Sequence, residues 1–114
     1  MELVNLTNGT VLAQRIEVSN CFKKRLRGLI GRPVLKPGEA MILMPCKSVH
    51  TFFMSFPIDV IFLDKEAVVI KILEKMKPFR FSPVIPRAEI SVELPAGCLA
   101  HTCTREGHCL QINI

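Results

Sequence analysis

Apolar residues recur at every second position in several stretches of this sequence, and each stretch is short. Ala88, Ile90, Val92 and Leu94 alternate with Glu89, Ser91 and Glu93, and Leu110, Ile112 and Ile114 repeat the pattern near the end. A period of two marks a β-strand, because successive side chains leave opposite faces of the backbone. Pro37-Gly38, Pro57, Pro78, Pro83, Pro86 and Pro95-Ala96-Gly97 interrupt these runs. A chain cut so often is confined to short strands that fold back on one another. With 114 residues, 49% of them hydrophobic and 22% charged, it forms one domain with its own core and is not disordered.

Residues 4–18 read as two strands around Asn8-Gly9, a dipeptide that favours a type I′ turn. Ser19 is placed to cap a helix, and Phe22, Leu26, Leu29 and Ile30 then share one helical face until Gly31 and Pro33. This is expected to be the only long helix. Residues 40–44 suit a buried strand, 46–50 a loop, and 51–56 and 58–64 extended chain broken by Pro57. A turn at Asp64-Lys65-Glu66 leads into a strand over 68–73. Ile58, Val60 and Phe62 would there face Val68, Ile70 and Ile72 on one side of a hairpin. The proline-rich residues 74–87 read as a long loop or edge segment. The sum is a mostly β domain: a compact β-sandwich or partly closed barrel with one short helix packed outside.

The net charge of +5 is unevenly placed. Residues 19–38 hold Lys23, Lys24, Arg25, Arg27, Arg32 and Lys36 and no acid. Such a run attracts phosphates, anionic lipid or an acidic partner, and it equally suits a solvated helix face. Nucleic acid is not an expected partner, since the chain has no Trp or Tyr and its seven Phe mostly sit in apolar runs. Five cysteines cannot all pair within one chain, so a reducing compartment with free structural thiols is expected. Met1-Glu2-Leu3-Val4-Asn5 has neither a basic start nor an apolar run, so no export signal and a cytoplasmic location are expected. The most apolar stretch, residues 52–63, is too short to span a bilayer and contains Pro57 and Asp59.

Several motifs occur in a fixed order. Arg25-x-x-Gly28-Leu29-x-Gly31-Arg32 is followed by Gly38-x-x-Met41. Then come His50-Thr51-Phe52-Phe53-Met54-x-Phe56-Pro57-Ile58-Asp59 continuing to Asp64, and Glu93-Leu94-Pro95-Ala96-Gly97. Across nearly its whole length the sequence resembles the prokaryotic domain-of-unknown-function family 192. The resemblance implies a compact, mostly β, jelly-roll-like domain and little about function. Some members of that family carry export signals, and Gly-Asp usually precedes the last strand. Here Gly107-His108 stands in that place.

Asp59 shares a strand face with Ile61 and Leu63, where a carboxylate is desolvated and needs a partner. Arg25 and Arg32 are the candidates. They would either bridge Asp59 and pin the helix to the sheet, or hold an anionic ligand that Asp59 orients. His50 at a loop–strand junction suits a structural hydrogen bond, a ligand contact or acid–base work. Paired with Asp59 or with the thiol of Cys46, it would make a small hydrolase-type site. Cys98, His101, Cys103, His108 and Cys109 supply soft ligands, but without two Cys-x-x-Cys knuckles, and no native metal is expected. No phosphate loop or dinucleotide fingerprint is present, and no cofactor is expected. The favoured reading is a non-enzymatic binding module whose small anionic ligand meets Arg25, Arg32, His50 and Asp59. The alternatives are the hydrolase-type enzyme and a protein-interaction adaptor acting through the basic helix.

Overall fold

The computed structural model describes residues 1–19, 35–51 and 54–114. The helix expected after Ser19, with Arg25 and Arg32 on it and after it, lies outside the described residues, as do Phe52 and Phe53. Among the described residues the chain forms β1 (Glu2–Asn5), β2 (Thr10–Ser19), β3 (Gly38–Leu43), β4 (Ile58–Leu63), β5 (Val69–Met76), β6 (Ile90–Pro95), a short helix α1 (Cys98–Thr102) and β7 (Leu110–Asn113). The seven strands make one sheet in the order β5-β4-β6-β3-β2-β1-β7. All neighbours are antiparallel except β2 and β3. A parallel pair needs a long return connection, and residues 20–37 provide its length.

The sheet curls until its two edges touch. Val69 N–H donates to His108 O at 2.9 Å and Leu110 N–H to Ala67 O at 2.9 Å. A single bridge, Val68 to Cys109, joins the edges there, so the sheet is not closed into a barrel. The expectation of a mostly β, partly closed architecture is met.

Curling gives the sheet two buried faces. Ile42, Ile61, Leu63, Val92 and Leu94 fill the concave side together with Leu99 of α1. Met41, Leu43, Ile58, Val60 and Phe62 fill the other side, beneath Cys46, Val49, Met54 and Ala88 from the loops. All six residues of β4 are therefore buried. A strand covered on both faces reads as a continuous apolar run, as residues 58–63 do apart from Asp59.

Local expectations fail where backbone detail decides. Four residues, 6–9, separate β1 from β2, and of these only Gly9 has positive φ, at 76°. The expected type I′ turn gives way because Asn5 Oδ1 accepts from Thr7 N (3.0 Å) and Asn8 N (3.3 Å). Register shifts in the β4–β5 hairpin set Val60 against Leu73 and Ile61 against Ile72. Ile72 thus packs on the concave core and Ile70 on the other, so the expected one-sided pairing is corrected. Residues 98–102 form a short helix that no local pattern announced.

Candidate functional site

Asp59 is fully buried in β4, opposite Leu94. Its Oδ1 accepts from Lys75 N at 2.8 Å, and its Oδ2 accepts from Gly97 N at 3.1 Å and Leu99 N at 2.9 Å. A register shift between Ile58 and Val60, with Lys75 at φ 51°, frees the Lys75 amide from the ladder. Gly97, at φ 95°, starts α1 in the left-handed region and turns two amides toward the same carboxylate. Asp59 therefore ties β5 to the start of α1 through three main-chain amides. The bridge expected from Arg25 or Arg32 falls outside the described residues.

His50 is half-buried and forms an isolated bridge with Phe81, the two rings meeting edge-on at 6.2 Å between centroids. Its neighbour Thr51 is fully buried. Thr51 Oγ1 donates to Lys77 O at 2.6 Å and accepts from Arg80 N at 2.9 Å. This hydroxyl is occupied as a cross-link. Cys46 is buried and disulfide-bonded, whereas Cys98, Cys103 and Cys109 are free. The expectation of free thiols throughout is corrected, and with it the pairing of a Cys46 thiol with His50.

Sequence reading missed Glu93. Alternation places Glu89, Ser91 and Glu93 on one face of β6, which looks like a solvent face. The structure buries Ser91 and Glu93 completely, with Glu93 between Met41 of β3 and Val60 of β4. Alternation separates the faces of a strand but cannot say that both are covered.

The cysteines and histidines of the last segment are spread by α1 and the turn after it. His108 Nδ1 lies 3.3 Å from Arg105 N and 3.0 Å from Asn5 Nδ2. A main-chain amide can only donate, so Nδ1 is the acceptor and the ring proton sits on Nε2. Among the described residues no three His, Cys, Asp or Glu come together in a metal-holding group.

A groove of about 550 Å³ opens beside α1. Its lining is mainly apolar, with Val11, Ala13, Pro37 and Pro95, and includes Cys98 and His101. The groove exists because β3 joins β2 only from Gly38 opposite Ala13, which leaves the first residues of β2 without that neighbour. Burial, then the charge of Asp59, pushes the Cys98 thiol from 9.0 up to about 11. It stays protonated at neutral pH, which makes it a poor nucleophile.

The same fold recurs in crystal structures. One, of a protein of unknown function from Novosphingobium aromaticivorans, superposes with a TM-score of 0.84 at 22% identity over 98% of this chain and 84% of its own. Another, from Sinorhizobium meliloti and described as a candidate transcription regulator, gives 0.77 at 19% identity over 96% and 89%. At such identities the likeness concerns the fold alone. A UPF0127 protein of Thermococcus sibiricus is 36% identical over 102 residues, 85% of this chain, which spans 65% of that relative's length. A UPF0127 protein of Pyrococcus furiosus is 32% identical over 97% of both chains. The profile of the family described as Uncharacterized ACR, DUF192, matches residues 3–112, which takes in all seven strands except Glu2 of β1 and Asn113 of β7, and the chain belongs to that family.

Proposed function

We propose that this chain is a non-enzymatic binding module whose ligand, a small and mainly apolar molecule with one polar group, enters the groove beside α1. The groove itself carries the reading: an apolar wall with a few convergent polar groups is the usual character of a small-molecule site. The chemistry around it supports binding over turnover. Cys98 is held as a thiol, Cys46 is in a disulfide, and both oxygens of Asp59 are committed to amides. A His50–Asp59 acid–base pair would have to release those amides first.

Native mass spectrometry beside the denatured mass tests this reading. A co-purified mass is expected on the wild type and lost from Val11→Arg, which fills the groove from an exposed position. A bare wild type that also shows no thermal shift with small apolar acids and alcohols sinks it. A second reading keeps the anionic ligand at Arg25, Arg32, His50 and Asp59, and the acid-free run over residues 19–38 favours it. In that case the retained mass survives Val11→Arg and leaves with Arg25→Gln or Arg32→Gln.

A further inference from the structure

Residues 77–87, between β5 and β6, combine three features that a loop serving only to connect strands does not need. The first is exposed apolar surface. Phe79, Phe81 and Val84 are 61%, 72% and 66% exposed. Three large apolar side chains exposed within six residues of one loop mark a contact site more often than isolated exposure does.

The second feature is charge. Lys75, Lys77, Arg80 and Arg87 are all exposed, and no acid lies between Glu74 and Glu89. This is a second acid-free basic run, separate from residues 19–38.

The third is rigidity under strain. Phe79 has φ 61°, a left-handed conformation that is unfavourable for a bulky side chain. It is held there by neighbouring bonds. Phe79 N donates to Thr51 O (3.1 Å), Arg80 N to Thr51 Oγ1 (2.9 Å), and Thr51 N to Arg80 O (2.9 Å). Farther along, Ser82 N donates to Val49 O (2.9 Å), Val49 N to Ser82 Oγ (2.9 Å), and Ile85 N to Lys47 O (2.8 Å). The fold sustains an unfavourable backbone to present an aromatic ring to water, where Asn or Gly would sit with less strain. Strain of this kind collects at functional positions.

We propose that this loop docks the protein onto an anionic lipid surface. Phe79, Phe81 and Val84 enter the headgroup–acyl boundary, while Lys75, Lys77, Arg80 and Arg87 lie at headgroup level. Apolar tips with cations beside them match that boundary, which is apolar below and negatively charged above. An acidic protein would use the cations but would leave the exposed aromatic rings without a purpose. The surface shares no residue with the groove beside α1, so this proposal stands or falls independently of the binding reading.

The test is sedimentation of the full chain with vesicles of phosphatidylcholine alone and of phosphatidylcholine with about one third phosphatidylglycerol. Three variants accompany it: Phe79→Asn/Phe81→Ser/Val84→Ser, Lys77→Gln/Arg80→Gln, and Lys23→Glu/Lys24→Glu/Arg27→Glu. Asn tolerates φ 61°, so the first variant keeps the fold, checked by its thermal melt. The wild type is expected to prefer the anionic vesicles. The apolar variant weakens binding by roughly 30-fold or more. Each removed cation weakens it about five-fold. The proposal is overturned by equal affinity for both vesicles, by absence of binding to either, or by a folded apolar variant that binds like the wild type. It is equally overturned if only Lys23→Glu/Lys24→Glu/Arg27→Glu abolishes vesicle binding.

Discussion

Asp59 shows how a side chain can be read correctly as desolvated while its main-chain partners stay out of sight in the sequence. The strand alternation places it on an apolar face, and a carboxylate there must be neutralised or hydrogen-bonded. Three main-chain amides fill that need. An amide side chain at this position turns its NH2 group toward donors. Asp59→Asn is therefore expected to cost about 2–4 kcal/mol in a urea titration; a loss under about 0.5 kcal/mol would remove Asp59 from its structural role. Cys98 carries a second residue-scale consequence. Its thiol ionises more readily in the unfolded chain, near 9.0, than in the fold, at about 11. Between those values the unfolded state binds fewer protons, so its ionisation draws the equilibrium toward unfolding. Stability contributed by the neutral thiol is fully present below pH 9 and is lost as pH rises toward 11. Melts across that range should decline more steeply for the wild type than for Cys98→Ala, and parallel declines would contradict this assignment.

At the scale of elements, the turn between β1 and β2 and the turn before β7 form one unit. Fully buried Asn5 accepts from Thr7 N and Asn8 N through Oδ1, and donates through Nδ2 to Thr104 Oγ1 (3.2 Å) and His108 Nδ1 (3.0 Å). His108 thus works as an acceptor, a role that an Asp carboxylate would also fill. His108→Asp should melt within a few degrees of the wild type, whereas His108→Leu leaves an Asn5 Nδ2 proton without its acceptor and should cost about 1–2 kcal/mol. The reverse order in differential scanning calorimetry would show that the imidazole ring packs rather than accepts. The β-strands themselves were largely legible. Seven of them fall in or beside stretches whose period, length and flanking Pro or Gly point to strands. Helix α1 was not legible, because five residues offer no helical period. Its cues are the left-handed Gly97 and the carboxylate of Asp59, which approaches from β4, far away in sequence.

Across the whole molecule, the two buried faces belong to one sheet, and β3, β4 and β5 supply side chains to both. Neither face can lose its packing without loosening the strands that hold the other. Leu94→Ala on the concave side and Phe62→Ala on the other should each cost about 2–5 kcal/mol and shift a single unfolding transition. Two separated transitions in either variant would divide the cores into independent units.

Sequence alone determined that this chain is mostly β, that its strands are short, and that Asp59 lies on an apolar face. These follow from period, punctuation and desolvation, which act within a few residues. The family followed as well, from motifs that run in order along the chain. Only the tertiary structure decided that Glu93 is buried, that Ile72 and Ile70 face opposite cores, and that the groove opens where β3 starts late beside β2. The physical reason is common to all three. A strand's alternation defines two faces, but what covers each face, and where a neighbouring strand begins, is set by segments distant in the chain.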